Sequence, residues 1–318
     1  MKVTEHLAKA QHLLISFEII PPKRGASLET LDGVVAELAQ FHPPFIDVTS
    51  RAAEPLSHEI GTTDKRMRKS PGTLGICVLI KHKYGIDAVP HVLCQGFTRE
   101  ETEDFLLELS YCGVENILAL RGDELGYEKT LRDGKTRNAS ACELVHQIQD
   151  LKRGRYLHEQ GRALDFCVGV AGYPEKHLKA VDLATDIYYT KQKADAGAEY
   201  IVTQMFFDNS TFFGYVQKCR EAGITLPIIP GIKILTRKEQ AGVLEKTFHC
   251  RIPEELSNSL GKAREKGEVE HIGREWAVRQ VKELSAYGVP AVHFYVMLNA
   301  APVSTVMEGL KEEGVVRY

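Results

Sequence analysis

The sequence predicts an α/β chain folded as one (β/α)8 barrel, and three observations carry that expectation. Eight short apolar runs of strand character recur along the 318 residues, stretches of helical spacing lie between them, and glycines stand where helices should stop. Strand alternating with helix over this length implies parallel pairing through right-handed crossovers. A barrel commonly reaches this size as one unit.

The strand candidates are residues 14–20, 45–49, 88–93, 116–120, 166–170, 200–206, 227–230 and 291–296. Helical spacing falls at 28–40, 100–110, 141–151, 180–196, 211–221, 237–244 and 272–287. The segment 73–84, TLGICVLIKHKY, suits a buried strand or a helix; Gly85 as a C-cap favours the helix. Gly113, Gly197, Gly223 and Gly288 each follow a helix where the next strand begins. A doubly wound sheet is the competing architecture, but its Gly-rich turn is missing: the first strand runs into Pro21 and Pro22. The whole chain, 1–318, thus reads as a single catalytic barrel with an N-terminal helical extension and insertions near 124–138 and 152–164.

Composition narrows the function. Lys plus Arg number 40 against 43 Asp plus Glu, a formal charge of -3 spread along the chain, which suits neither nucleic acid nor a membrane surface. The basic stretch 129–137 reads as a solvated loop. Seven cysteines without a CxxC pair indicate neither a disulfide framework nor a zinc site, so no metal is expected. The polar N-terminus lacks a secretory apolar core, and no segment approaches the roughly 18 apolar residues that span a bilayer. The expected location is cytoplasmic.

Candidate chemistry gathers at strand ends. Glu18 lies between Phe17 and Ile19, with alternation placing Ser16, Glu18 and Ile20 on one face. Such a carboxylate fits a general acid of raised pKa, or equally an ion pair with a neighbouring strand. Arg121, Gly122 and Asp123 follow the fourth strand, where Gly122 permits close approach to a ligand; alone, they also fit an ordinary Asp turn. AGYPEKH and TQMFFD follow the fifth and sixth strands, and Gln204 is a polar amide in an apolar run. Asp186 and Lys193 share a helix face, as a ribose and phosphate pair or as a surface charge pair. His91 in AVPHVLC reads best, alone, as a core histidine. No P-loop, G-x-S-x-G elbow or Cys/His pair competes.

Taken in order, SFEIIPPK, ALRGD, AGYPEKH, KADAGA, TQMFFD, IIPGI and HFY resemble the motif series of the methylenetetrahydrofolate reductases across residues 16–299. The resemblance implies a barrel with non-covalent FAD that passes hydride from NADH or NADPH to 5,10-methylenetetrahydrofolate, in ping-pong fashion, giving 5-methyltetrahydrofolate for methionine synthesis. It implies Glu18 as the acid that protonates the folate nitrogen and Asp123 as the carboxylate beside flavin and folate. FAD contacts carried over by position fall on Thr49, His91, Leu120, Arg121, Gly122, Asp123, Ala141, Tyr173, His177, Asp186 and Lys193. Glu18, Gln204, Gln240 and Leu244 match the folate and nicotinamide side, Leu244 standing where relatives place an aromatic. The expected partners are the folate substrate and further copies of the chain.

The chain departs from the pattern at 50–53, which reads Ser-Arg-Ala-Ala, and at Ala300 and Ala301, where relatives have an arginine near substrate. The chain also runs out soon after the barrel, so no appended regulatory domain is expected. A metal-dependent aldolase, a folate-binding methyltransferase barrel, or a flavin- and folate-binding module without turnover are the competing readings.

Overall fold

The computed structural model of the protein describes residues 1–51, 54–55, 66–67, 70, 72–122 and 134–318. Helix α1 (Val3–Lys9) is followed by β1 (Leu14–Ile19), α2 (Leu28–Ala39) and β2 (Phe45–Val48). A two-stranded antiparallel pair, β3 (Glu54–Pro55) with β4 (Arg66–Met67), stands apart from the main sheet. Alternation then resumes with α3 (Thr73–Tyr84), β5 (Asp87–Leu93), α4 (Arg99–Tyr111), β6 (Asn116–Leu120), α5 (Ala141–Leu151) and β7 (Cys167–Gly172). It continues through α6 (Leu183–Asp195), β8 (Tyr200–Met205), α7 (Asn209–Glu221), β9 (Ile228–Ile232) and α8 (Lys238–Phe248). Helices α9 (Glu254–Lys262) and α10 (Lys266–Tyr287), strand β10 (Ala291–Met297) and α11 (Ala301–Glu312) complete it.

Eight strands close in the order β1-β10-β9-β8-β7-β6-β5-β2, every neighbouring pair parallel. The predicted (β/α)8 barrel is therefore the observed one, and all eight predicted strands overlap a barrel strand. Strand period two divides the side chains between two cores. Phe17, Ile19, Ile46, Val48 and Phe294 pack outward with the helices, while Phe45, Val89, Leu118, Tyr200 and Ile229 fill the interior. Burying each such side chain stabilises the fold by about 1.5–3 kcal/mol. Gly169 leaves the space that the Tyr200 ring occupies, since a Cβ there would lie 2.3 Å from it.

Helix α1 closes the N-terminal mouth of the barrel. Val3 is fully buried with the interior cluster, and its backbone N–H donates to Asn116 Oδ1 at 2.8 Å. Helix ends follow local chemistry. Gly85 caps α3 in the left-handed conformation, φ 68°, so 73–84 is the helix. The expected helix at 180–196 starts later, at Leu183, because the Asp182 side chain accepts from Thr185 N and sets the N-cap there. Helices α9 and α11 were not expected: α9 is a short extra helix between α8 and α10, and α11 is the helix that follows the last barrel strand. The segment 152–164 is a compact turn, bridged from Arg155 to Gln160 and held by Tyr156 Oη donating to Arg162 O at 2.7 Å. Of the other expected insertion, only 134–138 falls among the described residues. No helix among the described residues is long and apolar enough to cross a membrane.

Candidate active site

The inner face of the barrel, polar toward the strands' C-terminal ends, gathers charge from non-adjacent parts of the chain. From β1, Ser16 and Glu18 point inward and Glu18 is 9% exposed. From β2 comes Asp47, fully buried, in register with Glu18. From β5 comes His91, whose Nε2 lies 3.4 Å from Glu18 Oε2 and 3.7 Å from Asp47 Oδ2. From β10 comes His293, its Nε2 3.9 Å from Glu18 Oε2 and its Nδ1 2.8 Å from Ser16 Oγ. Lys233, just past β9, donates to Tyr295 O at 2.7 Å, and Tyr295 Oη donates to Thr203 O at 2.7 Å. Gly231 is required there: a Cβ would lie 2.2 Å from Thr203 O and 2.7 Å from the Tyr295 ring.

The expectation of a raised Glu18 pKa is corrected. Burial does push its carboxyl up, but His293, His91 and Lys233 together outweigh burial and hold it below the usual carboxylate range. The sequence showed a carboxylate in an apolar strand and not the imidazoles and lysine opposite. His91 moves the other way: burial disfavours its cation, yet Asp47 and Glu18 raise it above the ordinary histidine value. Burial lowers Lys233 to about 8 against the pull of Glu18. Asp47, His293 and Lys233 were not singled out from the sequence. Asp47 carried the same signal as Glu18, a lone carboxylate in the apolar run FIDV.

A second group lies along the strand-end loops. Thr49, after β2, has a buried Oγ1 without a hydrogen-bond partner among the described residues. Leu120 ends β6, the Arg121 carbonyl accepts from Gln95 N at 2.9 Å, and Gly122 adopts φ 85° close under Gln95 and Leu93. Asp123 lies outside the described residues. Ala141 opens α5, behind the Ser140 cap. After β7, the rings of Tyr173 and His177 meet edge to face at 4.7 Å. Burial lowers the His177 pKa, and the positive charges of Lys193, Arg121, Lys179 and Lys176 lower it further. The surroundings of His177 are thus electropositive.

Asp186 and Lys193 share the buried face of α6, as their spacing predicted, and not a surface. Lys193 Nζ donates to Ala171 O at 2.5 Å, while Asp186 Oδ2 is buried without a hydrogen-bond partner among the described residues. Burial moves both toward neutrality, Asp186 up to about 6 and Lys193 down to about 8, each opposed by the other's charge.

The remaining expected residues lie further round the rim. Gln204 on β8 is partly buried, and its Oε1 accepts from Met205 N at 2.9 Å. Gln240 Oε1 accepts from Thr236 N at 2.7 Å and Arg237 N at 3.1 Å, capping the start of α8. Leu244 packs in a small separate core with Met205, Phe207, Leu235 and Leu256. Among the described residues, no three His, Cys, Asp or Glu side chains are grouped to hold a metal.

A family model described as methylenetetrahydrofolate reductase matches residues 2–311. The chain is 31% identical to methylenetetrahydrofolate reductase 1 of Schizosaccharomyces pombe, covering 99% of this chain and 49% of that one. It thus spans about half the length of that relative. It is 30% identical to 5,10-methylenetetrahydrofolate reductase of Salmonella typhimurium, covering 95% of this chain and 92% of the other. A solved structure of a Clostridium thermocellum protein that binds two copies of 5-methyl-5,6,7,8-tetrahydrofolic acid matches in fold, with TM-score 0.62 and 12% identity, over 99% of this chain and all of that one.

Proposed function

The chain belongs to the methylenetetrahydrofolate reductase family, and from that premise we propose that it reduces 5,10-methylenetetrahydrofolate to 5-methyltetrahydrofolate, using NADH or NADPH and non-covalent FAD. The observation that carries this reading is Glu18 on the inner face of the barrel, within reach of two imidazoles and one lysine. A folate nitrogen must be protonated before its methylene bridge opens to an acceptor of hydride. In this reading Glu18 delivers that proton.

The second group of residues fits FAD. FAD, when bound, supplies the carrier that lets hydride pass from nicotinamide to folate in two separate half-reactions. The pocket at His177, with Arg121, Lys176 and Lys193 around it, suits a diphosphate. Asp186 Oδ2 and Thr49 Oγ1 are buried polar atoms awaiting partners, as ribose or ribityl hydroxyls would be. Gly122 lets the backbone come close to a flat ring, and Tyr173 shields one edge of the pocket. Asp123 takes its role beside flavin and folate from the family resemblance alone. On the rim, Gln204 is the amide set to bind folate, with Gln240 and Leu244 toward the nicotinamide.

Anaerobic mixing of the FAD-loaded protein tests the reading. Bleaching of flavin absorbance by NADH or NADPH, then its recovery on adding methylenetetrahydrofolate, is the expected outcome. Bleaching without recovery would leave a flavin-binding barrel that does not turn over, and a colourless protein unable to bind FAD would remove the cofactor from the account. The product feeding methionine synthesis, a cytoplasmic location and a homo-oligomeric assembly complete the proposal.

A further inference from the structure

Asp47 has no exposed surface, and neither of its carboxylate oxygens finds a hydrogen-bond partner among the described residues. A buried ionised carboxylate persists only beside a counter-charge. Among the described residues the counter-charge within ion-pair distance is His91: its Nε2 is 3.7 Å from Asp47 and 3.4 Å from Glu18, and among them it too lacks a hydrogen bond. These separations are ion-pair distances, too long for direct hydrogen bonds. One ring nitrogen therefore faces two carboxylates.

The surrounding elements supply few other charges. Lys233, past β9, is bonded to Tyr295 O and acts on Glu18; His293 reaches Glu18 from β10; Tyr295 and Tyr200 are the phenols facing this interior; β6 contributes Leu118, and Cys77 lies behind β2 on α3. Lys233 alone does not balance two carboxylates. A cationic His91 does.

We propose that Asp47 is a positioning residue that keeps His91 an imidazolium, and that His91 is the store from which Glu18 takes the proton it delivers. The inference rests on the reading of Glu18 given above. In the step, the His91 Nε2–H bond breaks, its electron pair stays on the ring, and the proton passes to the Glu18 carboxylate. Glu18 then transfers that proton to the substrate nitrogen and is again ionised, and solvent reprotonates His91. Asp47 keeps its charge throughout.

The test is an NMR titration of selectively labelled histidines in the ligand-free protein, with His91→Gln identifying the resonance. The wild-type His91 should titrate above the ordinary histidine value of about 6.5, and Asp47→Asn, nearly equal in shape, should lower it by about one unit or more. In the FAD-loaded enzyme, the pH profile of folate reduction should move in the same direction. A wild-type His91 that titrates at or below that ordinary value overturns the inference without recourse to any variant that fails to fold. So does a titration that Asp47→Asn leaves in place. If Glu18→Gln instead leaves folate reduction intact, the reading of the site fails and the proton store with it, while the Asp47–His91 coupling remains measurable.

Discussion

The imidazole of His91 and the carboxylate of Glu18 stand 3.4 Å apart across the barrel interior, from strands β5 and β1, which do not pair with each other. Only β2 lies between them, and it contributes Asp47 to the same contact. Closure of the sheet, and not proximity in the chain, makes this charge group. Its chemistry can be separated experimentally from the proposed FAD site, where Gly122, His177 and Asp186 follow β6 and β7.

Glu18→Gln removes the carboxylate proposed to pass the proton on, without changing the size of the side chain. Folate reduction should fall by at least about 100-fold, while bleaching of the flavin by the nicotinamide continues. Stopped-flow measurement of the two half-reactions checks this. Equal loss in both would take Glu18 out of the acid role.

Asp186→Asn should separate stability from binding. The folded-state pKa of Asp186 is raised from 3.8 to about 6, so folding favours its protonated form, and stability from this group is present below its unfolded pKa and lost as pH rises through about 6. The ligand-free variant should therefore be more stable than the wild type at neutral pH, an advantage that vanishes in acid. FAD affinity should drop by about tenfold or more, since a charged hydrogen-bond acceptor is gone. Denaturation midpoints against pH, with flavin fluorescence titration, give both numbers.

Gly169→Ala should destabilise the barrel by about 1–3 kcal/mol through overpacking, because the new methyl would press on the Tyr200 ring that fills the interior. Tyr200→Leu in the same chain should recover part of that loss, which a double-mutant cycle in urea would show. Simple additivity of the two losses would mean that the residues do not compete for one space.

Val3→Asp places a charge among Phe45, Val89 and Leu118 at the closed end of the barrel. An unpaired buried charge there should lower the thermal midpoint markedly. The pH dependence of any residual turnover should not change, because the charge group around Glu18 lies toward the opposite mouth. A changed pH profile would mean that α1 does more than close the floor.

The sequence by itself determined the alternation of strands and helices, and with it the barrel, because periodicity and glycine stops are local properties of the chain. It also marked Glu18 as a carboxylate out of keeping with its apolar strand, and Asp186 and Lys193 as a pair on one helix face. The tertiary structure decided what those surroundings were. Glu18 read as a carboxylate with a raised pKa, since only its apolar neighbours in sequence were visible; closure brought His91, His293 and Lys233 against it and reversed the shift. Asp47 passed unnoticed in FIDV for the same reason, its significance lying wholly in what faces it across the sheet. Spacing placed Asp186 and Lys193 on one helix face, but only packing of α6 against β7 made that face buried and drew both groups toward neutrality. Local pattern is written in neighbouring residues, whereas the electrostatics of a site depend on partners that only folding brings within a few ångströms.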